Sequence, residues 1–200
     1  MPATTIQEQF GQIDIYLFDQ ILKGRISPGM RILDAGCGSG RNIVYFLREG
    51  YEVYAVDPDK NAVESVRKLA PALPESNFSV QSLEQMSFDD AWADVVICSA
   101  VLHFARDDAH FESMLEGAWR VLKPGGLFFC RLASSIGMEN QIEQIEGRRY
   151  RLPDGSTRYL VDANQLVSLT EQLGAAMADP LKTTVVQDQR SMTTWVLRKK

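Results

Sequence analysis

Residues 31–42 read RILDAGCGSGRN, and this stretch decides how the rest of the chain is interpreted. An apolar run of strand character leads into Asp34, and three alternating glycines follow it: Gly36, Gly38 and Gly40. Glycines remove the Cβ atoms that would hold a ligand away from the backbone, and a helix that begins after them offers free N–H groups. The stretch therefore predicts a strand, a ligand-binding turn and a helix.

Composition restricts the class of protein. A chain of 200 residues that is 45% hydrophobic can bury one sizeable core, which predicts a single domain over 1–200. A net charge of -5 argues against non-specific binding to nucleic acid or anionic membranes. No apolar stretch reaches membrane-spanning length, and no signal peptide opens the chain, so we expect a cytoplasmic protein with a small-molecule partner, as a monomer or homodimer.

Apolar runs of strand length alternate with segments of helical period between residues 30 and 133. Strand runs without polar alternation are typical of strands covered on both faces, and helical connections between them predict parallel pairing. Three widely spaced cysteines, in apolar surroundings, predict neither a disulfide framework nor a metal site. The expected fold is a doubly wound α/β sheet.

The flanking segments have a different character. Within an N-terminal cover of residues 1–28, the stretch 5–24 has the period of one helix that lies across the strand ends. Residues 134–158 are polar and rich in Arg and Gly, and they are expected to be an insertion over the sheet. Two final strands, 181–188 and 191–200, are close enough to form an antiparallel hairpin at the sheet edge.

The glycine spacing restricts the ligand. A dinucleotide fingerprint requires its third glycine three positions after the second, and Arg41 stands there instead. Asp57 ends the second predicted strand, where a carboxylate accepts hydrogen bonds from an unphosphorylated ribose diol. Alternatively, Asp57 caps the following helix. The pattern disfavours a pyrophosphate and favours a ribose-containing ligand.

Four motifs stand in order between Ile32 and Arg131: ILDAGCGSGRN, VYAVD, DVVICSAVLHF and RVLKPGGLFFC. Together they resemble the class I S-adenosylmethionine-dependent methyltransferases of types 11 and 12, and most of all the small tellurite-resistance and thiopurine-type enzymes. The resemblance implies a Rossmann-like seven-stranded mixed sheet of order 3-2-1-4-5-7-6, with the last strand antiparallel and helices on both faces. It also implies in-line methyl transfer from S-adenosylmethionine to a small molecule, with S-adenosylhomocysteine as product.

The resemblance further implies which residues contact the cofactor. These are Asp34, Ala35, Gly36, Gly38, Asp57, Pro58, Ser82, Leu83 and Ser99. Asp34 and the glycine backbone would contact the methionine part, and Asp57 the ribose. The family commonly has an acidic residue after the third strand for the adenine amino group, whereas here the backbone of Leu83 would take that place.

The acceptor side is less sharply defined. The candidate substrate residues are Tyr16, His103, Arg149 and Tyr159, with the insertion as a lid over the acceptor. His103 is the candidate general base, and its alternative is packing. The arginines Arg148, Arg149, Arg151 and Arg158 suit an anionic substrate or form a solvated loop. The aromatic residues Tyr16, Phe18, Tyr150 and Tyr159 close the pocket or pack in the core.

Four smaller points complete the sequence-based expectations. Arg41 could meet the cofactor carboxylate or lie at the surface, and His110 is expected at the surface without a role. No metal is required. The rival functions are an NAD-dependent oxidoreductase and a cofactor-binding or regulatory protein of the same fold without catalysis.

Overall fold

The structure is a computed structural model that describes residues 5–200, and its strands form two sheets. In chain order the strands are β1 (Arg31–Ala35), β2 (Glu52–Asp57), β3 (Phe78–Val80), β4 (Ala93–Ser99), β5 (Leu122–Ala133), β6 (Glu143–Glu146), β7 (Arg149–Arg151), β8 (Thr157–Tyr159), β9 (Ala176–Met177), β10 (Lys182–Val186) and β11 (Arg190–Arg198). The larger sheet has the order β10-β11-β5-β4-β1-β2-β3, with β9 also paired to β11. Strands β6, β7 and β8 form a separate small sheet.

The larger sheet confirms the predicted strand order and the antiparallel last strand. Pairs among β1 to β5 are parallel, and β11 runs antiparallel to β5. The sheet has eight strands rather than seven because two strands share the edge position beside β11. β10 pairs with the first half of β11, and β9 pairs with Leu197 and Arg198 near the end of β11.

Helices cover both faces of this sheet. They are α1 (Ile6–Phe10), α2 (Ile15–Leu22), α3 (Val44–Arg48), α4 (Lys60–Leu69), α5 (Asp108–Arg120) and α6 (Ala163–Gln172). Successive strand residues point to opposite faces, so Leu33 packs in the cluster that holds Phe111 of α5, while Ile32 packs in the cluster that holds Phe46 of α3. β1 therefore contributes to two cores, and so do β2, β4, β5 and β11.

Three predicted elements differ in the structure. The single helix expected over 5–24 is two helices, because Gly11 ends α1 at φ 62° and Asp14 begins α2 by accepting a hydrogen bond from the Tyr16 N–H. The helix after the glycine turn begins only at Val44. α5 ends at Arg120, and Pro124, Gly125 and Gly126, which in sequence are typical of a helix end, belong to β5.

The insertion is more regular than predicted. Its central part forms the small antiparallel sheet, in which β7 pairs with both β6 and β8. Leu152 and Leu160 pack against Ala133 of β5, and this contact attaches the small sheet to the end of the large one. Residues 1–4 of the predicted N-terminal cover lie outside the described range. Within that range, no helix combines the length and apolar character needed to cross a membrane.

Candidate functional site

The glycine turn after β1 has one position that only glycine can occupy. The backbone N–H groups of Gly36 and Cys37 donate to the Val56 carbonyl oxygen at 2.8 and 3.0 Å, which ties the turn to β2. Gly36 has φ 83°, and a Cβ on it would overlap the Val101 side chain. The turn therefore lies close against the loop after β4.

A cavity of about 630 Å³ opens above this turn, at the carboxyl ends of β1, β2 and β4. Seven of the predicted cofactor residues line it: Gly36, Gly38, Asp57, Pro58, Ser82, Leu83 and Ser99. Its volume is that of a site for a small molecule or cofactor, and its place at the strand ends is the usual one in a doubly wound sheet. We call it the turn cavity.

Asp57 is held in place by the backbone around it. Its Oδ2 accepts a hydrogen bond from the Gly38 N–H, and its Oδ1 accepts one from the Asp59 N–H, both at 2.9 Å. Asp59, not Asp57, caps α4, since its Oδ1 accepts from the Asn61 N–H. Each Asp57 oxygen keeps a lone pair that faces no described partner, so the carboxylate can accept from a diol.

Asp34 and Ala35 lie beneath the turn cavity rather than in its lining. Asp34 is 1% exposed, and its Oδ2 is buried without a hydrogen-bond partner among the described residues. Burial raises the pKa of this carboxyl to about 7, an effect that nearby Arg41 opposes and Asp57 reinforces. A buried polar atom normally has a partner, so a donor or cation bound above it would satisfy Asp34.

The opposite end of the turn cavity contains an acidic residue that the sequence analysis missed. Glu84 lines the cavity, and its Oε1 lies 3.1 Å from Nε2 of His110. His110, expected at the surface without a role, also lines the cavity beside Glu84. α5 can approach closely here because Gly117 has no Cβ; a Cβ at that position would overlap the Leu83 carbonyl oxygen. Glu84 follows Leu83 directly in the sequence, and this position was the available signal for it.

Arg41 and Ala100 line both the turn cavity and a second cavity of about 260 Å³, so the two cavities adjoin. Arg41 Nη2 donates to Ser99 Oγ at 3.4 Å and lies 3.9 Å from Asp14 Oδ2. Ala100 has φ 63°, a left-handed conformation that is uncommon for a residue with a Cβ. Arg41 is therefore part of the site rather than a detached surface residue.

Four arginines line the second cavity, which we call the arginine cavity. They are Arg41, Arg131, Arg158 and Arg190. They come from the turn after β1, from β5, from β8 and from the start of β11. Only Arg41 and Arg158 were considered from the sequence, because the other two reach this place through long-range strand pairing.

Asp14 joins the N-terminal helices to both cavities. Its side chain is 0% exposed, and its Oδ2 accepts a hydrogen bond from Arg131 Nη1 at 2.7 Å. Its backbone N–H donates to Asn42 Oδ1 at 3.0 Å. One buried carboxylate thus fixes α2, the glycine turn and β5 relative to one another.

His103 lies in the arginine cavity and not in the turn cavity. It is 6% exposed, and its Nδ1 accepts a hydrogen bond from the Ala133 N–H at 3.2 Å. Burial, together with the charges of Arg158 and Arg190, lowers its pKa to about 4. The neutral ring carries its proton on Nε2 at pH 7, which makes it a donor and a weak base. This environment disfavours the predicted role of general base.

Two of the predicted substrate tyrosines are engaged elsewhere. Tyr159 is 1% exposed, and its hydroxyl donates to Asp108 Oδ1 at 2.8 Å and accepts from Gln165 Nε2 at 2.9 Å. The Tyr16 hydroxyl lies 2.9 Å from Thr184 Oγ1, and Tyr16 lines neither of the two cavities. Packing, the alternative considered from the sequence, fits both residues better.

The remaining aromatic residues and arginines of the predicted acceptor site are dispersed. Phe18 packs edge-on against Phe10, and Tyr150 packs beside Leu152. Arg148 Nη1 pairs with Asp162 at 2.8 Å, and Arg151 Nη1 lies 3.5 Å from Glu143. Three of the four predicted substrate residues nevertheless meet: His103, Arg149 and Tyr159 line a third cavity of about 360 Å³, which Arg158 also lines.

Comparison with known proteins agrees with this architecture. Residues 33–130 match a family model described as a methyltransferase domain. An uncharacterised methyltransferase of Synechocystis is 33% identical over 103 residues, which cover 52% of this chain and 47% of that protein. A probable S-adenosylmethionine-dependent methyltransferase of Mycolicibacterium smegmatis is 31% identical over 153 residues, 76% of this chain and 54% of that protein. The chain spans about half the length of these curated relatives.

A solved structure shares the fold. It is the 1,6-didemethyltoxoflavin-N1-methyltransferase of Burkholderia thailandensis, crystallised with 1,6-didemethyltoxoflavin and S-adenosylhomocysteine. The two structures superpose with a TM-score of 0.70 at 22% identity, and the match covers 90% of this chain and 75% of the Burkholderia chain. The finer resemblance to tellurite-resistance and thiopurine-type enzymes stays a prediction. The ordered motifs, the strand order and the family match over residues 33–130 together support a class I S-adenosylmethionine-dependent methyltransferase.

Proposed function

We propose that this chain binds S-adenosylmethionine in the turn cavity and methylates a small molecule held in the arginine cavity, with S-adenosylhomocysteine as product. The observation that carries the proposal is the shared border: Arg41 and Ala100 line both cavities, so the cavities adjoin. Ligands that meet at this border would be neighbours, as direct transfer between them requires.

The residues of the turn cavity fit the cofactor. The unpartnered Oδ2 of Asp34 suits the ammonium group of the methionine part, and the two oxygens of Asp57 suit the ribose diol. Glu84 suits the adenine amino group, since it supplies the acidic side chain that the sequence analysis lacked. The apolar side chains of Leu83 and Met114 complete the lining.

When bound, the cofactor supplies a methyl group already activated on a sulfonium, which passes to a nucleophile while the electron pair of the broken bond stays on sulfur. The protein needs chiefly to align the two ligands and to exclude water. Arg41, which contacts Ser99 and Asp14, and the left-handed Ala100 border the place where the two ligands would meet.

The arginine cavity offers no strong base near neutral pH among the described residues that line it. Burial lowers the pKa of His103 to about 4, and hydrogen bonds from Ser156 lower the pKa of Asp154. The other titratable side chains of its lining are the four arginines. The acceptor therefore enters as a nucleophile that needs no protein base, such as an ionised oxygen, a thiolate or a free amine.

A small acceptor is supported by the size of the arginine cavity, about 260 Å³, and by the acidic net charge of -5, which disfavours nucleic acid. The Burkholderia enzyme that shares the fold was crystallised with a small heterocycle. An NAD-dependent oxidoreductase is disfavoured by the alternating glycines and by the family match.

Two measurements test the proposal. Calorimetric titration should detect binding of S-adenosylhomocysteine and none of NAD; binding of NAD alone would refute the proposal. Release of S-adenosylhomocysteine should then be followed across thiols, phenols, carboxylates, amines and chalcogen oxyanions. Turnover of at least one acceptor is expected, and cofactor binding without any turnover would favour the non-catalytic alternative.

A further inference from the structure

We infer that the arginine cavity binds an oxyanion group of the acceptor, a carboxylate or a phosphate, through Arg158 and Arg190. This inference rests on the proposed function, because it concerns the acceptor of that reaction. Arg158 lies on β8 and Arg190 at the start of β11, far apart in the sequence.

The arginines of the cavity divide into two pairs. Arg131 is already neutralised by the buried carboxylate of Asp14 at 2.7 Å, and Arg41 lies 3.9 Å from the same carboxylate. Across residues 5–200, Arg158 and Arg190 form no ion pair with any carboxylate. Asp154 also lines the cavity but lies beyond ion-pair distance of both, so one carboxylate against two guanidinium groups leaves a net positive charge. This charge favours a bound anion, since guanidinium geometry matches carboxylate and phosphate oxygens.

Arg158 is held in a defined position. It is half-buried, its Nη1 donates to the Thr157 carbonyl oxygen at 2.8 Å, and its guanidinium carbon lies 4.8 Å from the ring centroid of Phe104. The cation–π contact fixes the plane of the guanidinium group while its other N–H groups stay free. Arg190 is exposed at the mouth of the cavity, at the first residue of β11.

Among the residues that the structure describes, one carboxylate lines the arginine cavity, and its own loop engages it. Asp154 Oδ1 accepts hydrogen bonds from the backbone N–H and the hydroxyl of Ser156. Deeper in the cavity, His103 keeps its Nδ1 on the Ala133 N–H and so presents an Nε2–H donor. The groups that remain available in this cavity are therefore mostly donors, as an oxyanion requires.

The rest of the lining suits a small organic anion better than a bare inorganic ion. Leu152, Val186 and Met192 contribute apolar surface beside the arginines. The volume of about 260 Å³ is well below the 630 Å³ of the turn cavity. A compact acceptor with one apolar part and one oxyanion group fits both properties.

The experiment measures binding of simple probes to the full chain saturated with S-adenosylhomocysteine. Calorimetry at low ionic strength compares benzoate, phenyl phosphate and the neutral isostere benzamide. We expect at least one of the two anions to bind roughly 10- to 100-fold more tightly than benzamide, as for hydrogen bonds to a charged group. The stronger of the two anions identifies the oxyanion as carboxylate or phosphate.

Variants locate the binding to the proposed arginines. Arg158→Gln is expected to weaken the favoured anion about tenfold or more, and the exposed Arg190→Gln about threefold to tenfold. Arg151→Gln is the matched control, because Arg151 lies on the neighbouring strand and lines no cavity named here; it should leave anion affinity unchanged. Retained affinity for S-adenosylhomocysteine shows that each variant is folded.

The outcomes separate the two proposals. If the wild-type chain fails to bind S-adenosylhomocysteine, the proposed function fails. If it binds S-adenosylhomocysteine but neither anion, or binds benzamide as tightly as benzoate and phenyl phosphate, the oxyanion inference is overturned while the proposed function stands. Equal weakening by Arg151→Gln and Arg158→Gln would also overturn it, because the effect would then come from net charge alone.

Discussion

The turn cavity and the arginine cavity adjoin but differ in electrostatic character. In the lining of the first, the carboxylates Asp57 and Glu84 balance the guanidinium groups of Arg41 and Arg106, and Asp34 lies beneath it. Arginines dominate the second. A ligand with an ammonium group and hydroxyl donors is therefore favoured on one side, and an anionic ligand on the other. Two neighbouring cavities that differ in charge can thus select different small ligands.

The largest expected effect comes from removing the carboxylate that joins the two cavities. Asp14→Ala leaves Arg131 without its buried partner and removes the cap of α2. We expect the free energy of unfolding to fall by about 3–5 kcal/mol, measured by urea denaturation.

A control for Asp14 is available on the same helix. Asp19 pairs with Lys23 at 2.6 Å, but about a third of each side chain is exposed. Asp19→Ala should therefore cost less than about 1 kcal/mol. Equal losses for the two variants would show that Asp14 does not couple α2 to the cavities in the way its contacts indicate.

The turn cavity was largely predictable from the sequence, because neighbouring residues build much of it. A strand, a glycine turn and a strand-ending carboxylate are encoded within residues 31–57, and the parallel pairing of β1 with β2 brings Asp57 to the Gly38 N–H. Glu84 was missed by one position. Local order fixes the geometry of such a site.

The arginine cavity could not be predicted in the same way. Arg131 meets Asp14, which lies 117 positions earlier in the chain, and Arg190 arrives only because β11 pairs with β10 and β5. The small sheet was also missed, because every residue of β6 is exposed and the alternating apolar pattern of a half-buried strand is absent. Long-range pairing, rather than local pattern, creates this cavity.

The carboxyl beneath the turn cavity should make stability depend on pH. Burial raises the pKa of Asp34 to about 7, so the folded chain keeps a proton that the unfolded chain loses above about pH 4. The stabilising contribution is present below pH 4 and is lost as the pH rises to about 7. Asp34→Asn removes this dependence.

The expected size of that effect is on the order of 2–4 kcal/mol. Urea denaturation of the ligand-free protein at pH 4, 6 and 8 measures the free energy of unfolding. The difference between Asp34→Asn and the wild type should shift in favour of the variant by this amount from pH 4 to pH 8. Parallel pH profiles would mean that the Asp34 carboxyl ionises normally. In that case Asp34 would carry a full negative charge at neutral pH before any ligand binds.

A substitution confined to the turn cavity should separate it from its neighbour. Asp57→Ala is expected to weaken binding of S-adenosylhomocysteine by about 1.5–3 kcal/mol, the range for hydrogen bonds to a charged group. Calorimetry measures this loss. Asp59→Ala is the matched control, because Asp59 caps α4 and lines neither cavity; it should cost about 1 kcal/mol of stability and leave ligand affinity intact. An unchanged affinity in Asp57→Ala would remove Asp57 from the site.

The smallest expected effect lies on the outer side of the small sheet, and it tests how far the positive potential of the arginine cavity extends. Arg151 lies 3.5 Å from Glu143, but the side chains are 61% and 71% exposed, so Arg151→Gln should change the unfolding free energy by less than about 0.5 kcal/mol. Acceptor turnover should also be unchanged at low and at physiological salt. A loss of turnover that appears only at low salt would mean that the whole small sheet steers the acceptor, because long-range steering is screened within roughly 10 Å at 0.1 M salt. The contrast between the two cavities would then belong to a broad surface field rather than to Arg158 and Arg190.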